Sequence, residues 1–138
     1  MGINFMDASN RHWDGAELLY SDSHLANADH LYGLSAECGL KALMVAMGAP
    51  TDPVGDMLKP HKKHIDQLWG EFQSFASGLS GSAYVAMLPA GSPFSNWAIQ
   101  QRYEHRVFAN QSLVDDHRVA ARQVRAVLDH AVLDGRFS

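Results

Sequence analysis

Residues 26–47, ANADHLYGLSAECGLKALMVAM, constrain the fold more than any other stretch of the chain. They run for 22 residues without proline and would span ~33 Å as a helix. Nearly the whole circumference of that helix is apolar or small, so it belongs inside a bundle rather than on its surface. Leu31, Leu34, Cys38, Ala42 and Val45 make one stripe. Ala28, Ser35, Gly39 and Ala46 make another, of small side chains that let a second backbone come close. The polar residues His30, Glu37 and Lys41 fall on one line. Glu37 and Lys41 are four apart with the acid first, the order that favours pairing along a helix. A charged line on a central helix calls for a partner outside the bundle core, either a neighbouring subunit or a ligand.

A chain of 138 residues can bury its own core and is simplest as one domain, with residues 1–8 flexible. The single cysteine, Cys38, excludes an internal disulfide. Its place in the apolar stretch favours a small buried hydrophobe over a reactive thiol. The opening MGINFMDASN has neither the basic start nor the apolar run of a secretion signal. Met6 stands where N-myristoylation needs Ser or Thr. No apolar run reaches membrane-spanning length, so the expectation is a soluble, cytoplasmic protein with no membrane contact. The formal net charge of −4 is the wrong sign for a surface coated to hold nucleic acid. Residues 1–58 carry eight acids against Arg11 and Lys41, whereas residues 59–138 carry nine bases against seven acids. Any polyanion contact therefore falls on the second half.

Along the chain, a first helix is expected from about Ser9 to Tyr20, capped by Ser9 or Asn10, with Trp13, Ala16 and Tyr20 facing inward. The central helix follows, with Gly48 at the usual place of a C-terminal cap. Residues 49–59, bounded by Pro50, Pro53, Gly55 and Pro60, form a loop. A third helix begins near His61, since Ile65, Leu68, Trp69 and Phe72 keep helical spacing. GLSGS at 78–82 breaks it, and a short helix at 83–88 precedes the loop PAGSP. Residues 94–105 have no clean period and suit either a short helix or an extended packing segment. In the last helix Ser112 and Asp115 have capping-box spacing. Leu113, His117, Ala120, Val124, Val127 and Ala131 then form a seam for an antiparallel neighbour. No strand pattern and no repeat is present. The fold class is all-α, an up-and-down bundle of four to five helices.

Several of these residues together resemble a HEPN domain. They are Glu37, Lys41, Ala42 and Leu43 on the central helix, then KKHIDQL from Lys62 to Leu68 after the Gly/Pro loop, and then Trp97 with the pair Arg102–Tyr103. The similarity runs from about Trp13 to Leu133 and rests on the order and spacing of short motifs. The resemblance implies a HEPN-like helical bundle, usually a homodimer, that handles RNA or nucleotide in toxin–antitoxin, defence or stress systems. Many members of that family are metal-independent endoribonucleases. Others have lost catalysis and serve as binding or partner domains, some beside a minimal nucleotidyltransferase.

The family's ribonucleases carry an Arg, then four to six residues, then a His. RNA cleavage through the 2′-hydroxyl needs a proton-transfer group near neutral pH and a cation on the phosphorane. Arg125 and His130 are the one pair with that spacing, yet residues five apart on a helix point ~140° away from each other. A second catalytic candidate is Arg102 with His105, in the run RYEHR that also holds Tyr103 and Arg106. There Trp97 and Tyr103 can equally pack in the bundle while Arg102 pairs with an acid such as Glu37. Lys62, Lys63 and His64, with Lys59 and His61, put cations at a helix start, where the dipole disfavours them unless an anion binds. They are candidates, with Arg102 and Arg106, for a phosphate or RNA contact; a solvated charged turn is the other reading. Eight histidines invite a test for metal, but neither His61/His64 nor His24/Asp29/His30 makes a zinc signature. No Gly-rich phosphate loop or other cofactor motif is present, so neither metal nor cofactor is expected.

Overall fold

The central helix forms as α2, Leu25–Ala46, in a computed structural model that describes residues 2–78 and 81–137. Around it lie α1 (Phe5–Ser21), α3 (Ile65–Ser77), a short α4 (Ser82–Ala86) and α5 (Gln111–Leu133). Two 3-10 helices, Ile99–Tyr103 and Arg106–Phe108, bridge α4 to α5. Among the described residues there is no strand, only one isolated bridge between Thr51 and Met57. The chain is an all-α helical bundle. No helix among the described residues is long and apolar enough to cross a membrane.

The stripe of small residues on α2 gives α1 and α5 a close approach. Ser9 of α1 and Ser35 of α2 are both fully buried. Each hydroxyl donates to the other's backbone carbonyl, at 2.8 and 2.9 Å. One turn on, a Cβ added at Gly39 would stand 2.7 Å from Val124 Cγ1 of α5. Ser35 and Gly39 therefore let α1 and α5 seat against one helix. Leu40, Leu43 and Met44 of α2 meet Ile65, Leu68, Trp69 and Phe72 of α3 in one fully buried core. Each such side chain contributes ~1.5–3 kcal/mol by leaving water.

Three helix starts differ from the sequence expectation, each because a side chain has a tertiary partner. α1 begins at Phe5, inside the stretch expected to be flexible, and its cap is Asn4, whose side chain accepts the Asp7 N–H at 2.9 Å. Ser9 is committed to α2 and caps nothing. α5 is capped by Asn110, which accepts the Leu113 N–H at 2.9 Å, and not by a Ser112 box. Asp115 instead accepts the Tyr20 hydroxyl at 2.5 Å. α3 begins at Ile65 rather than His61, because His64 is extended (ψ 167°). At the other ends Gly48 (φ 99°) and Gly135 (φ 81°) take the left-handed turns that close α2 and α5. Residues 94–105 resolve into a turn that buries Phe94 and Trp97, followed by the first 3-10 helix.

Candidate functional site

Burying a charge is costly unless it is paired, yet Glu37 and Lys41 on α2 are only 6% and 7% exposed. Their partners all belong to the same chain. Lys41 Nζ donates to Glu37 Oε2 at 3.0 Å. Glu37 Oε1 accepts the Ile65 N–H at 3.1 Å and lies 3.1 Å from His64 Nδ1. Glu37 is thus the N-terminal cap of α3, supplied by a different helix. Glu37 and Lys41 are therefore satisfied within the chain, whereas His30, the third member of the line, is not.

The basic start of α3 is neutralised in the same manner. Lys62 pairs with Asp56 at 3.2 Å. Lys63 and His61 meet the two oxygens of Glu71 at 3.2 and 3.0 Å. The anion that relieves these cations is internal: Glu37 at the helix end, with Asp56 and Glu71 beside it. Lys62 and Lys63 therefore direct their charge at acids of their own chain, and His64 Nδ1 lies against Glu37.

A different group lies within electrostatic reach of Glu37. Trp97 donates its indole N–H to the Asp29 carbonyl at 3.1 Å and presses so closely on α2 that a Cβ at Gly33 would fall inside the indole. His30 stacks on Trp97, with centroids 5.7 Å apart and planes within 13°. His30 Nδ1 is buried with no hydrogen-bond partner. Burial lowers the pKa of His30 and nearby Arg102 lowers it further, with His64 acting in the same direction and Asp29 and Glu37 opposing. His12 of α1 is also held below its ordinary value, first by burial and then by Arg11 and His30, against the pull of Glu37. Four segments thus bring His12, His30, His64 and Arg102 within electrostatic reach, with Glu37 behind them. Two imidazoles are held uncharged beside fixed cations. Such a group can accept a proton and can attract an anion. Among the described residues no three His, Cys, Asp or Glu side chains gather as metal ligands.

The remaining sequence candidates have scattered positions. Arg125 donates to Asn10 Oδ1 at 3.1 Å and lies 5.4 Å over the Trp13 ring. His130 is exposed and 3.8 Å from Asp134. Within one chain these two side chains therefore go to different partners. Arg102 is exposed, makes no ion pair among the described residues and lies 4.9 Å over the ring of Tyr103. The suggested Arg102–Glu37 pair does not form. Trp97 is buried but Tyr103 is not. His105 Nδ1 accepts the Val107 N–H at 3.2 Å and caps the second 3-10 helix. Arg106 lines an open groove of about 370 Å³ with His24 and Asn27. Cys38 is inert, its thiol pushed up to about 11 by burial.

One buried network escapes sequence reasoning. Asp29 and His117 are fully buried. Their Oδ1 and Nδ1 are 2.6 Å apart, and His117 Nε2 is 2.7 Å from Asn96 Oδ1. Gln101 donates to the other Asp29 oxygen at 2.8 Å. Both nitrogens of His117 are occupied. The network ties α5 and the first 3-10 helix to α2 and thereby sets where Arg102 stands. An acid inside an apolar helix and a His on an apolar seam were its only signal in sequence. No family model matches the chain, and no curated protein or solved structure is similar to it.

Proposed function

We propose that this chain is a HEPN-like protein that binds RNA or nucleotide, with phosphate lying against His12, His30 and Arg102. The observation that carries the reading is the division of the cations. Lys41, Lys62, Lys63 and Arg118 each face an acid. Arg11, Lys59, Arg102, Arg106, Arg122 and Arg125 have no acid partner among the described residues; of these Arg122 and Arg125 lie over the Trp13 ring, whereas Arg102 stands beside His30 and helps to lower its pKa. Free guanidinium groups suit phosphate, which they hold through charge-assisted, planar contacts. The test is fluorescence anisotropy with a labelled oligoribonucleotide in EDTA. Affinity should fall steeply with salt, and Arg102→Glu should weaken it ~10-fold or more, the scale of one lost charge-assisted contact. Arg122→Glu, whose guanidinium lies over the Trp13 ring, should leave it within about twofold. Absence of binding at low salt contradicts the reading and leaves the protein-partner role, for example beside a nucleotidyltransferase in a toxin–antitoxin or defence system.

The endoribonuclease reading is favoured by one observation, that His12 and His30 both have their pKa lowered, first by burial and then by a neighbouring guanidinium, Arg11 for His12 and Arg102 for His30. A neutral imidazole can take the 2′-hydroxyl proton while the guanidinium meets the developing phosphorane charge. On this reading the reacting groups are His12 and His30 instead of Arg125 and His130. Cleavage in EDTA that survives His130→Ala but not His12→Ala or His30→Ala supports it. A homodimer belongs to the same proposal, since Leu31, Leu34 and Cys38 on one face of α2 are only partly buried. Light scattering at micromolar concentration should report two chains.

A further inference from the structure

Segments 3–6, 42–46, 51–55 and 136–137 enclose a groove of about 400 Å³, within the size range of small-molecule sites. It shares no lining residue with the His12, His30, His64 and Arg102 group. Its walls are mostly apolar, with Ile3, Phe5, Met6, Val45 and Phe137 as the large side chains. Ile3 and Val45 are 43% and 37% exposed, so apolar surface is left in water here. The walls are tied in place before anything binds. The Ile3 N–H donates to the Val54 carbonyl at 2.8 Å, and the Arg136 N–H donates to the Ala131 carbonyl at 3.0 Å. Gly55, at φ 95°, passes so close to segment 3–6 that a Cβ there would stand 3.2 Å from the Ile3 carbonyl oxygen. The polar groups of the lining offer hydrogens. Asn4 commits its Oδ1 to the Asp7 N–H at 2.9 Å, which leaves its amide N–H groups. Thr51 adds a hydroxyl and Arg136 a guanidinium. Arg136 also hydrogen-bonds Tyr84 and stands near Asp134, but a guanidinium has five N–H donors and can serve a further acceptor. Among the described residues no Asp or Glu lines the groove. We infer that this groove binds a small monocarboxylate with an apolar tail. The tail lies along Phe5, Met6, Val45 and Phe137, and the carboxylate meets Arg136, Asn4 and Thr51. One guanidinium balances one negative charge, and its planar fork matches the two oxygens of a carboxylate.

The experiment titrates octanoate, below its micelle threshold, into the isotope-labelled full chain and follows the amide chemical shifts. Perturbations should centre on Phe5, Met6, Val45 and Phe137. Octyltrimethylammonium, with the same tail and the opposite charge, should bind at least ~10-fold more weakly. Hexanoate should bind about tenfold more weakly than octanoate, the worth of two buried methylenes. Arg136→Gln should weaken octanoate by about tenfold, the scale of one lost charge-assisted contact. Arg136 also holds Tyr84, so a second variant keeps that contact: Val45→Glu puts an acid on the partly exposed wall. It should weaken octanoate, tighten the ammonium and keep the wild-type circular dichroism. Equal affinity for octanoate and octyltrimethylammonium, or octanoate binding unchanged in both variants, overturns the inference. Equal affinity for octanoate and hexanoate also overturns it, because the tail then lies outside the groove. Perturbations centred on His12, His30 and Arg102, or no saturation at millimolar octanoate, overturn it as well.

Discussion

Replacing Glu37 by Ala should unfold more of this protein's stability than any surface change. The carboxylate has three partners: the Lys41 ammonium, the Ile65 N–H and His64. Losing a helix cap costs ~0.5–2 kcal/mol. Removing one member of a buried pair costs ~3–5 kcal/mol, because the other charge is stranded. One carboxylate does both, so the terms overlap, and about 3–5 kcal/mol is expected out of a total of ~5–15 kcal/mol. In urea unfolding followed at 222 nm, that lowers the midpoint by about 2 M for m near 2 kcal/mol/M. The double variant Glu37→Leu/Lys41→Met removes the stranded ammonium as well. It should recover most of the loss and remain ~1–2 kcal/mol below wild type for the missing cap. A loss under about 1 kcal/mol for Glu37→Ala, or a double variant no more stable than the single, would refute the assignment of Glu37 as a buried cap and counter-ion.

Gly33→Ala should cost ~1–3 kcal/mol as an overpacked contact, since its Cβ has no room beside the Trp97 indole. It should also weaken oligonucleotide binding, because His30 rests on that indole. Gly70→Ala, on an open face of α3, should stabilise by ~0.4–1 kcal/mol in the same urea assay. His12 and His30 are held below their usual 6.5, so the unfolded chain takes up protons first as pH falls. Stability should therefore decline from pH 6.5 downward through the lower folded-state values, and His12→Gln/His30→Gln should flatten that decline between pH 7 and 5. Glu17 is held low chiefly by hydrogen bonds from Arg118, which donates at 2.7 and 2.9 Å, against the opposing effect of its own burial. Its stabilisation is present above 4.5 and lost as pH falls through the depressed folded value. Arg118→Ala should remove that acid-sensitive component.

The parts of this fold that sequence revealed are those written in local spacing. α2 is legible because a helix apolar on nearly all sides has only one place in a bundle. The Glu37–Lys41 pair follows from a four-residue offset, and the α3 core face from Ile65, Leu68, Trp69 and Phe72. What sequence hid depends on partners far along the chain. Ser9 has the chemistry of a cap, but its hydroxyl serves Ser35 of α2. The Ile65 N–H needs an acceptor, and nothing local says that Glu37 provides it. The candidate site was half visible. His30 and Arg102 were noted, on the polar line and in RYEHR, but His12 looked like any surface residue of α1. The stack of His30 on Trp97 depends on Gly33, whose role shows only when the indole lies against it. Lys62 and Lys63 drew attention because positive charge at a helix start calls for an anion, and that anion proved to be in the chain.

The central claim is that the functional face is where His12, His30, His64 and Arg102 meet. Amide and imidazole chemical shifts recorded while titrating a short single-stranded oligoribonucleotide into the protein in EDTA test it most directly. The account predicts that perturbations concentrate at His12, His30, His64 and residues 102–106, and spare Arg125 and His130. Perturbations centred on Arg125 and His130, or none at saturating ligand, would contradict it.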